Sequence, residues 1–262
     1  MNLRTLHCVH PIKGGYSGCG KTALVKCLLR VVTTAGGYAV TRKLDEMQSS
    51  HPLTAILSAF NDLCIKVAQN SPNEILTVMH QELITAIGPN FAFLVRVLPN
   101  VVHLVPSHVT IPSLSNQHDT GFNFDRLCFT IQALMRVITR FCPPLLLFID
   151  DLQWGCPISL KLLMSVLREV KERMLFVGGF RDNEVRGDHA LSVFFNTVSA
   201  SSDVTSSSIF LDGISAEAVN SMISDGLGLF PRLCKELSQV VHRKTNGYVF
   251  CWNHFAYCSS ST

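Results

Sequence analysis

The spacing of apolar residues divides the chain into strands and helices. Unbroken apolar runs at residues 145–149 and 174–180 predict strands that are buried on both faces. Shorter runs predict three more strands, over residues 6–13, 38–42 and 209–211. Pro11 fits poorly in the first of these, because proline cannot donate a backbone hydrogen bond. Five strands that alternate with helical stretches are typical of an α/β protein with a parallel sheet.

Apolar residues three and four positions apart predict the helices. These helices cover residues 23–32, 53–67, 72–87, 91–98, 124–141 and 157–170. In the first of them, Leu24, Leu28 and Val31 lie at helical spacing. The stretches 106–123 and 199–208 are polar and read as loops.

The pattern after residue 212 predicts two further helices. Ser215 is the expected N-cap of the first, and Pro231 begins the second. The side chains expected to face inward are Val219, Met222 and Ile223 in the first helix, and Leu233, Leu237, Val240 and Val241 in the second. We therefore expect a core over residues 1–212, with a helical insertion at about 53–98, and a small helical lid over 213–262.

A glycine-rich stretch precedes the first predicted helix and matches a phosphate-binding loop, G-x-x-x-x-G-K-[ST]. Glycines let successive N–H groups converge on phosphate oxygens, and the helix N-terminus adds partial positive charge. Lys21 would reach the β- and γ-phosphates, and the Thr22 hydroxyl would hold Mg²⁺. The candidate nucleotide-binding residues are Gly15, Ser17, Gly18, Cys19, Gly20, Lys21, Thr22 and Ala23. The alternative is an ordinary glycine-rich turn.

Charged residues follow the two strongest predicted strands. Asp150 and Asp151 come directly after residues 145–149, and Arg181 follows 174–180. The carboxyl ends of parallel strands are where α/β sheets bind ligands, so Arg181 is a candidate to face phosphate. Two alternatives stay open. The acids could cap the helix that begins near Pro157, and Arg181 could pair with Asp182 or Glu184.

Composition narrows the class of protein further. Charged residues make up 16% of the chain and the net charge is +3, with no basic stripe, which disfavours nucleic acid as a partner. A low charged fraction suggests that protein partners cover part of the surface. No apolar run approaches the ~20 residues that span a bilayer, so no membrane association is expected. Ten cysteines in a long chain without a signal peptide indicate a reducing compartment, the cytoplasm or the nucleus.

Cysteine also offers two specific sites. Cys251, His254 and Cys258 have tolerable metal spacing but supply only three ligands, so packing is the preferred interpretation. Cys19 lies close to Lys21 and to a helix N-terminus, both of which favour the thiolate. We expect Cys19 to be reactive and to be shielded by bound nucleotide; the alternative is an ordinary buried thiol.

Together the motifs resemble the AAA-type, origin-recognition-like ATPase domain of the STAND signalling NTPases. The motifs are Gly15-x-x-Gly18-x-Gly20-Lys21-Thr22, the run Leu146-Leu147-Phe148-Ile149-Asp150-Asp151-Leu152-Gln153-Trp154, and Gly179-Phe180-Arg181-Asp182-Asn183-Glu184-Val185. Lys43-Leu44-Asp45 and Lys244-Thr245-x-Gly247 extend the match. The resemblance implies a P-loop NTPase fold: a parallel five-stranded sheet flanked by helices, with a C-terminal helical lid. In it the Asp150 strand lies next to the Arg181 strand, which lies next to the phosphate-loop strand.

The resemblance also implies ATP and Mg²⁺ as ligands and a role for each site residue. Thr22 and Asp150 would hold Mg²⁺, Asp151 would polarise the attacking water, and Arg181 would sense the γ-phosphate. Such modules act as ATP-dependent switches between sensor and output domains. GTP is disfavoured, since no Asn-Lys-x-Asp segment occurs.

Several departures from the family pattern support an alternative. No Gly-Arg-Glu segment precedes residue 14, which suggests a truncated start. Cys156 stands where an acid is usual, Ala190 where proline is usual, and Tyr248-Val249 where Asn-Pro is usual. The chain is therefore either a slow ATPase switch or a non-catalytic ATP-binding or protein-interaction module. A replication-type DNA-binding ATPase is weaker, because no winged helix or basic stripe is visible.

Overall fold

The computed structural model describes residues 7–14, 20–46, 53–106, 123–170, 173–201 and 204–248, the first range by its backbone alone. The interior of the predicted loop at 106–123 lies outside these ranges. The Cys251, His254 and Cys258 group also lies outside them.

Six parallel strands in the described residues form one sheet. They are β1 (His7–Gly14), β2 (Tyr38–Lys43), β3 (Leu145–Asp150), β4 (Met174–Arg181), β5 (Thr205–Ser206) and β6 (Ile209–Leu211). The order is β2-β3-β4-β1-β5, and β6 also pairs with β1. The α/β architecture with parallel strands is thus confirmed. The Asp150 strand lies beside the Arg181 strand, which lies beside β1.

Pro11 explains why six strand segments occur where five were expected. Cys8 pairs with Thr205 and Ile12 pairs with Ile209, both at an offset of 197 residues, so β5 and β6 share one register along β1. The gap between them, at Ser207 and Ser208, lies opposite His10 and Pro11. A proline has no N–H to offer to a ladder, so pairing along this edge is interrupted where it stands.

Nine α-helices and four short 3-10 helices accompany the sheet in the described ranges, the latter being Gly88–Asn90, Pro99–Leu104, Leu152–Trp154 and Asp182–Glu184. The α-helices are α1 (Lys21–Thr34), α2 (Thr54–Asn70), α3 (Asn73–Ile87), α4 (Phe91–Val97), α5 (Phe124–Phe141), α6 (Pro157–Glu169), α7 (Ala190–Ser199), α8 (Ala216–Leu227) and α9 (Pro231–Thr245). Helix α7 was not predicted. Its buried residues Leu191, Phe194 and Val198 nevertheless have helical spacing, so the signal was present.

Alternate residues of the central strands pack on opposite faces of the sheet. On one face, Leu146, Phe148 and Val177 pack with Val25 and Val32 of α1. On the other, the main core contains side chains of α2 to α7 together with β3 and β4 residues, among them Leu147, Ile149 and Phe176. The strands are therefore buried on both faces, as their unbroken apolar runs predict.

The apolar residues noted at helical spacing in α1 coincide only in part with its buried side. Its buried residues are Lys21, Val25 and Val32, whereas Leu24 and Val31 are exposed. Leu28 is partly buried and packs with Val25 against the same face of the sheet.

Helices α8 and α9 pack on each other through a small cluster of their own: Val219, Ile223, Cys234 and Val241, with Ile214 beside them. Ser215 caps α8, since its hydroxyl accepts from the Ala218 amide at 3.2 Å. The expected inward face of α9 was largely wrong. Val241 is buried, but Leu233 is 64% exposed, and Leu237 and Val240 are exposed too. The row that faces α8 is instead Cys234, Ser238 and Val241.

The two ends of this helical pair touch. The Ile214 amide donates to the Gly247 carbonyl at 3.0 Å. A Cβ on Gly213 would collide with the Asn246 carbonyl oxygen, and Gly247 has φ +77°, so glycine is required at both positions.

Candidate functional site

Helix α1 begins at the carboxyl edge of the sheet. Its N-cap, Gly20, has φ 96°, a left-handed conformation that glycine adopts without strain. Lys21 is buried at the first position, and Thr22 and Ala23 follow it on the exposed side. The predicted phosphate-binding residues Gly15, Ser17, Gly18 and Cys19 lie outside the described residues.

Thr22 and Asp150 meet across this edge. The Thr22 hydroxyl lies 3.5 Å from Oδ2 of Asp150, which is the last residue of β3. The Asp150 carbonyl accepts from the Leu44 amide at 3.0 Å, so the end of β3 is fixed to the end of β2. A hydroxyl and a carboxylate side by side are oxygen ligands of the kind that Mg²⁺ prefers. This pair of residues therefore fits the ion that the phosphate-loop motif implies.

Gly179 makes room for the Asp150 carboxylate. A Cβ at Gly179 would lie 2.5 Å from Oδ1 of Asp150, which is closer than nonbonded atoms approach. On the opposite face of β4, a Cβ at Gly178 would collide with the buried side chain of Leu152. Gly179 therefore leaves space for the Asp150 carboxylate on one face of the sheet, and Gly178 leaves space for Leu152 on the other.

Asp151 is held in a left-handed turn directly after the strand. Its φ of 52° is one that aspartate tolerates better than most residues. Its amide donates to Oδ1 of Asp150 at 3.0 Å, which couples the two acids through a single turn. The Gln153 side-chain amide donates to Oδ1 of Asp151 at 3.2 Å. Asp151 therefore has a defined orientation at the sheet edge.

Two cations compensate the buried charge of Asp151. Its side chain is only 7% exposed, and Nζ of Lys43 lies 3.0 Å from Oδ2. Nε of Arg181 lies 3.6 Å from Oδ1 on the other side. A buried carboxylate is costly unless it is paired and hydrogen-bonded, and Lys43, Arg181 and Gln153 meet this requirement.

Arg181 makes the ion pair with Glu184 that was one of the two alternatives for it, and it has a second acidic neighbour. It faces Asp151, and its Nη1 also lies 2.7 Å from Oε1 of Glu184. The hydrogen bond to Glu184 is the main reason why the pKa of Arg181 is raised, with the nearby Asp151 adding to it. The Arg181 amide donates to Oε1 of Gln153 at 3.2 Å, so Gln153 joins the ends of β3 and β4.

The acids do not cap helix α6. Its N-cap is Cys156, whose sulfur accepts from the Ser159 amide at 3.3 Å. This leaves Asp150 and Asp151 directed to the sheet edge.

Lys43, Gln153 and Glu184 were not identified from the sequence as site residues. Lys43 could have been, since it ends a parallel strand as Asp150 and Arg181 do. Glu184 was weighed only as a partner of Arg181, and for Gln153, which follows β3 by three residues, the sequence carries no comparable signal.

Among the residues with described positions, no group of three or more His, Cys, Asp or Glu side chains could hold a metal ion. No helix in the same ranges is long and apolar enough to cross a membrane.

Comparison with known proteins adds a family assignment. A family model described as AAA ATPase domain matches residues 14–177, which is more than half of the chain. The match includes Thr22, Asp150 and Asp151 and ends four residues before Arg181. No curated protein matches the chain.

Proposed function

Because this chain belongs to the AAA ATPase domain family, we propose that it binds Mg-ATP at the carboxyl edge of its sheet and acts as a nucleotide-dependent switch of the STAND signalling type. The observation that carries the proposal is the meeting of Thr22 with Asp150 at the start of α1, with Asp151 one residue further on. These are the oxygen ligands and the potential base that phosphoryl transfer to water needs.

Each residue has a task in this proposal. Bound Mg-ATP would supply a reactive phosphoanhydride whose charge the metal partly neutralises. Lys21 and the amides at the start of α1 hold phosphate, while Thr22 and Asp150 hold the metal. Asp151 accepts a proton from the attacking water, and Arg181 faces the terminal phosphate. The phosphate-binding role extends to Gly15, Ser17, Gly18, Cys19, Gly20 and Ala23.

The switch itself is proposed to involve the C-terminal helices. Residues 1–212 would form the ATPase core and residues 213–262 a lid. The small cluster between α8 and α9 is separate from the main core, which supports movement of these helices as a unit. Protein partners or covalently linked sensor and output domains, in the cytoplasm or nucleus, would receive the signal.

A second candidate is a module that binds ATP without hydrolysing it. The observation in its favour is that both carboxylate oxygens of Asp151 are already engaged, Oδ1 by Gln153 and Arg181 and Oδ2 by Lys43. These three partners occupy most of the roughly four acceptor positions of the carboxylate, which leaves little room for an attacking water.

Binding is tested by thermal unfolding with and without Mg-ATP. Ligand at 100 times its dissociation constant stabilises a fold by about 2.7 kcal/mol, which corresponds to a rise of roughly 5–10 °C in midpoint for a protein of this size. Lys21→Ala should abolish the rise, and circular dichroism checks that the variant is folded. A folded wild-type protein that shows no rise at millimolar Mg-ATP would contradict the proposal.

Hydrolysis is tested by comparing the two acids. Asp150→Asn should weaken binding that depends on Mg²⁺, since a metal ligand is lost. Asp151→Asn should leave binding nearly intact and remove phosphate release. If wild type releases phosphate no faster than Asp151→Asn while both bind ATP, the second candidate is the correct one.

A further inference from the structure

Lys43 is a cation at the site to which the motifs give no task. It is the last residue of β2 and lies in register with Asp150, so its backbone is fixed at the carboxyl edge. Its Nζ reaches past Asp150 to Oδ2 of Asp151 at 3.0 Å. The preceding residue, Arg42, points the other way and forms an ion pair with Asp62 of α2. Arg42 and Lys43 are neighbours on β2, but they form ion pairs on different faces of the sheet.

Lys43 and Arg181 hold Asp151 in different ways. Arg181 is anchored by Glu184 and through its own amide by Gln153, so it is fixed where it stands. The Lys43 side chain is 68% exposed. An ion pair made by a well-exposed lysine adds little stability, and the flexible side chain can exchange one anion for another at low cost. Lys43 is the cation that can move.

We propose that Lys43 recognises the terminal phosphate of a bound nucleoside triphosphate, and that Asp151 holds it in place while that phosphate is absent. The inference rests on the proposed function. A terminal phosphate carries more negative charge than one carboxylate, so it attracts the ammonium group more strongly. When Lys43 leaves, Oδ2 of Asp151 becomes free to accept a proton. A diphosphate lacks the third phosphate and leaves the Lys43 to Asp151 pair intact.

Because of this exchange, the ability of Asp151 to accept a proton depends on whether a triphosphate or a diphosphate is bound. The same movement would turn the carboxylate engaged by Lys43 into a base that acts only with triphosphate present. Lys43 is thereby a specificity-determining residue that discriminates triphosphate from diphosphate.

The test is calorimetric titration of the full chain with a non-hydrolysable ATP analogue and, separately, with ADP, both with Mg²⁺. In Lys43→Gln the affinity for the ATP analogue should fall by about tenfold or more, the usual effect of losing a hydrogen bond to a charged group. Affinity for ADP should stay within about twofold, since ADP does not reach Lys43. Lys43→Arg should restore the preference for the analogue.

Arg42→Gln is the matched control, because it removes a cation one residue away whose ion pair faces α2. It should leave the preference for the ATP analogue unchanged. If Lys43→Gln weakens both nucleotides equally, or neither, the proposal for Lys43 is wrong while the proposed function survives. If wild type binds neither nucleotide, the proposed function is wrong and the role of Lys43 is wrong with it.

Discussion

At the scale of single residues, two adjacent glycines in β4 have different roles, one in core packing and one in the candidate site. Gly178 faces Leu152 in the core, and Gly179 faces the Asp150 carboxylate. Because successive positions of a strand point to opposite faces, a methyl group at one glycine disturbs packing and at the other disturbs the site.

We expect Gly179→Ala to lower the Mg²⁺ dependence of nucleotide binding, because the new Cβ would lie 2.5 Å from Oδ1 of Asp150 and displace that carboxylate from Thr22. Gly178→Ala should instead destabilise the fold by about 1–3 kcal/mol, the usual cost of overpacking a core. Titration with Mg²⁺ and thermal unfolding separate the two effects.

The control for both variants is Gly187→Ala, since a Cβ at Gly187 meets no atom within 4 Å. It should change neither property. Equal Mg²⁺ dependence in wild type and Gly179→Ala would show that Asp150 does not need its present position.

Much of the site could be predicted at the residue scale. The positions of Asp150, Asp151 and Arg181 follow from the rule that parallel strands end at one edge of the sheet. The place of Lys43 at the sheet edge could be predicted, but its ion pair with Asp151 could not, because Lys43 is 107 residues before Asp150 and only the pairing of β2 with β3 brings their ends together. Sequence periodicity carries no information on such pairing.

At the scale of elements, the start of α6 shows a weak cap. Cys156 offers a sulfur to the Ser159 amide at 3.3 Å, and sulfur is a weaker acceptor than a carboxylate oxygen. An aspartate at an N-cap also interacts favourably with the positive end of the helix.

Cys156→Asp should therefore stabilise the protein, by about 0.5–1.5 kcal/mol, or roughly 1–6 °C in melting midpoint. Cys156→Ala, which removes the cap without replacing it, should lower the midpoint. Thermal unfolding by circular dichroism measures both. A midpoint for Cys156→Asp at or below that of wild type would show that this position does not limit the stability of α6.

The elements that sequence analysis missed are short or interrupted. Helix α7 has ten residues, and β5 has two. Strand β5 exists because β1 offers a backbone ladder beside it, so its own residues carry no strand pattern. Long elements such as α5, whose bounds match the prediction, depend on their own periodicity instead.

At the scale of the whole molecule, the C-terminal helices expose an apolar flank. Leu233, Leu237 and Val240 of α9 lie in water, whereas Ile223 of α8 is buried in the contact between the helices. The pattern alone could not decide which row of α9 faces α8, because both rows contain apolar residues.

Leu237→Gln should change the melting midpoint by no more than about 1–2 °C, since an exposed side chain contributes within ~0.5 kcal/mol. Ile223→Ala should destabilise the helical pair by about 2–5 kcal/mol, as expected for a buried isoleucine. Amide hydrogen exchange in α8 and α9 measures the effect locally. Faster exchange in Leu237→Gln than in Ile223→Ala would mean that the flank is covered in solution.

The contact between Gly213 and Gly247 brings the start and the end of the helical pair together, so in the proposed switch the pair would turn as a flap about this place. The chain enters and leaves the flap at one place, while the far ends of its helices lie about 20 Å away along their axes. A rotation about the attachment sweeps the tips through a wide arc but scarcely moves Tyr248. A segment joined after Tyr248 would therefore not be pulled when the flap turns. Such a segment would respond to the rotation by packing against the helices themselves. The exposed flank of Leu233 and Leu237 is a surface available for that contact.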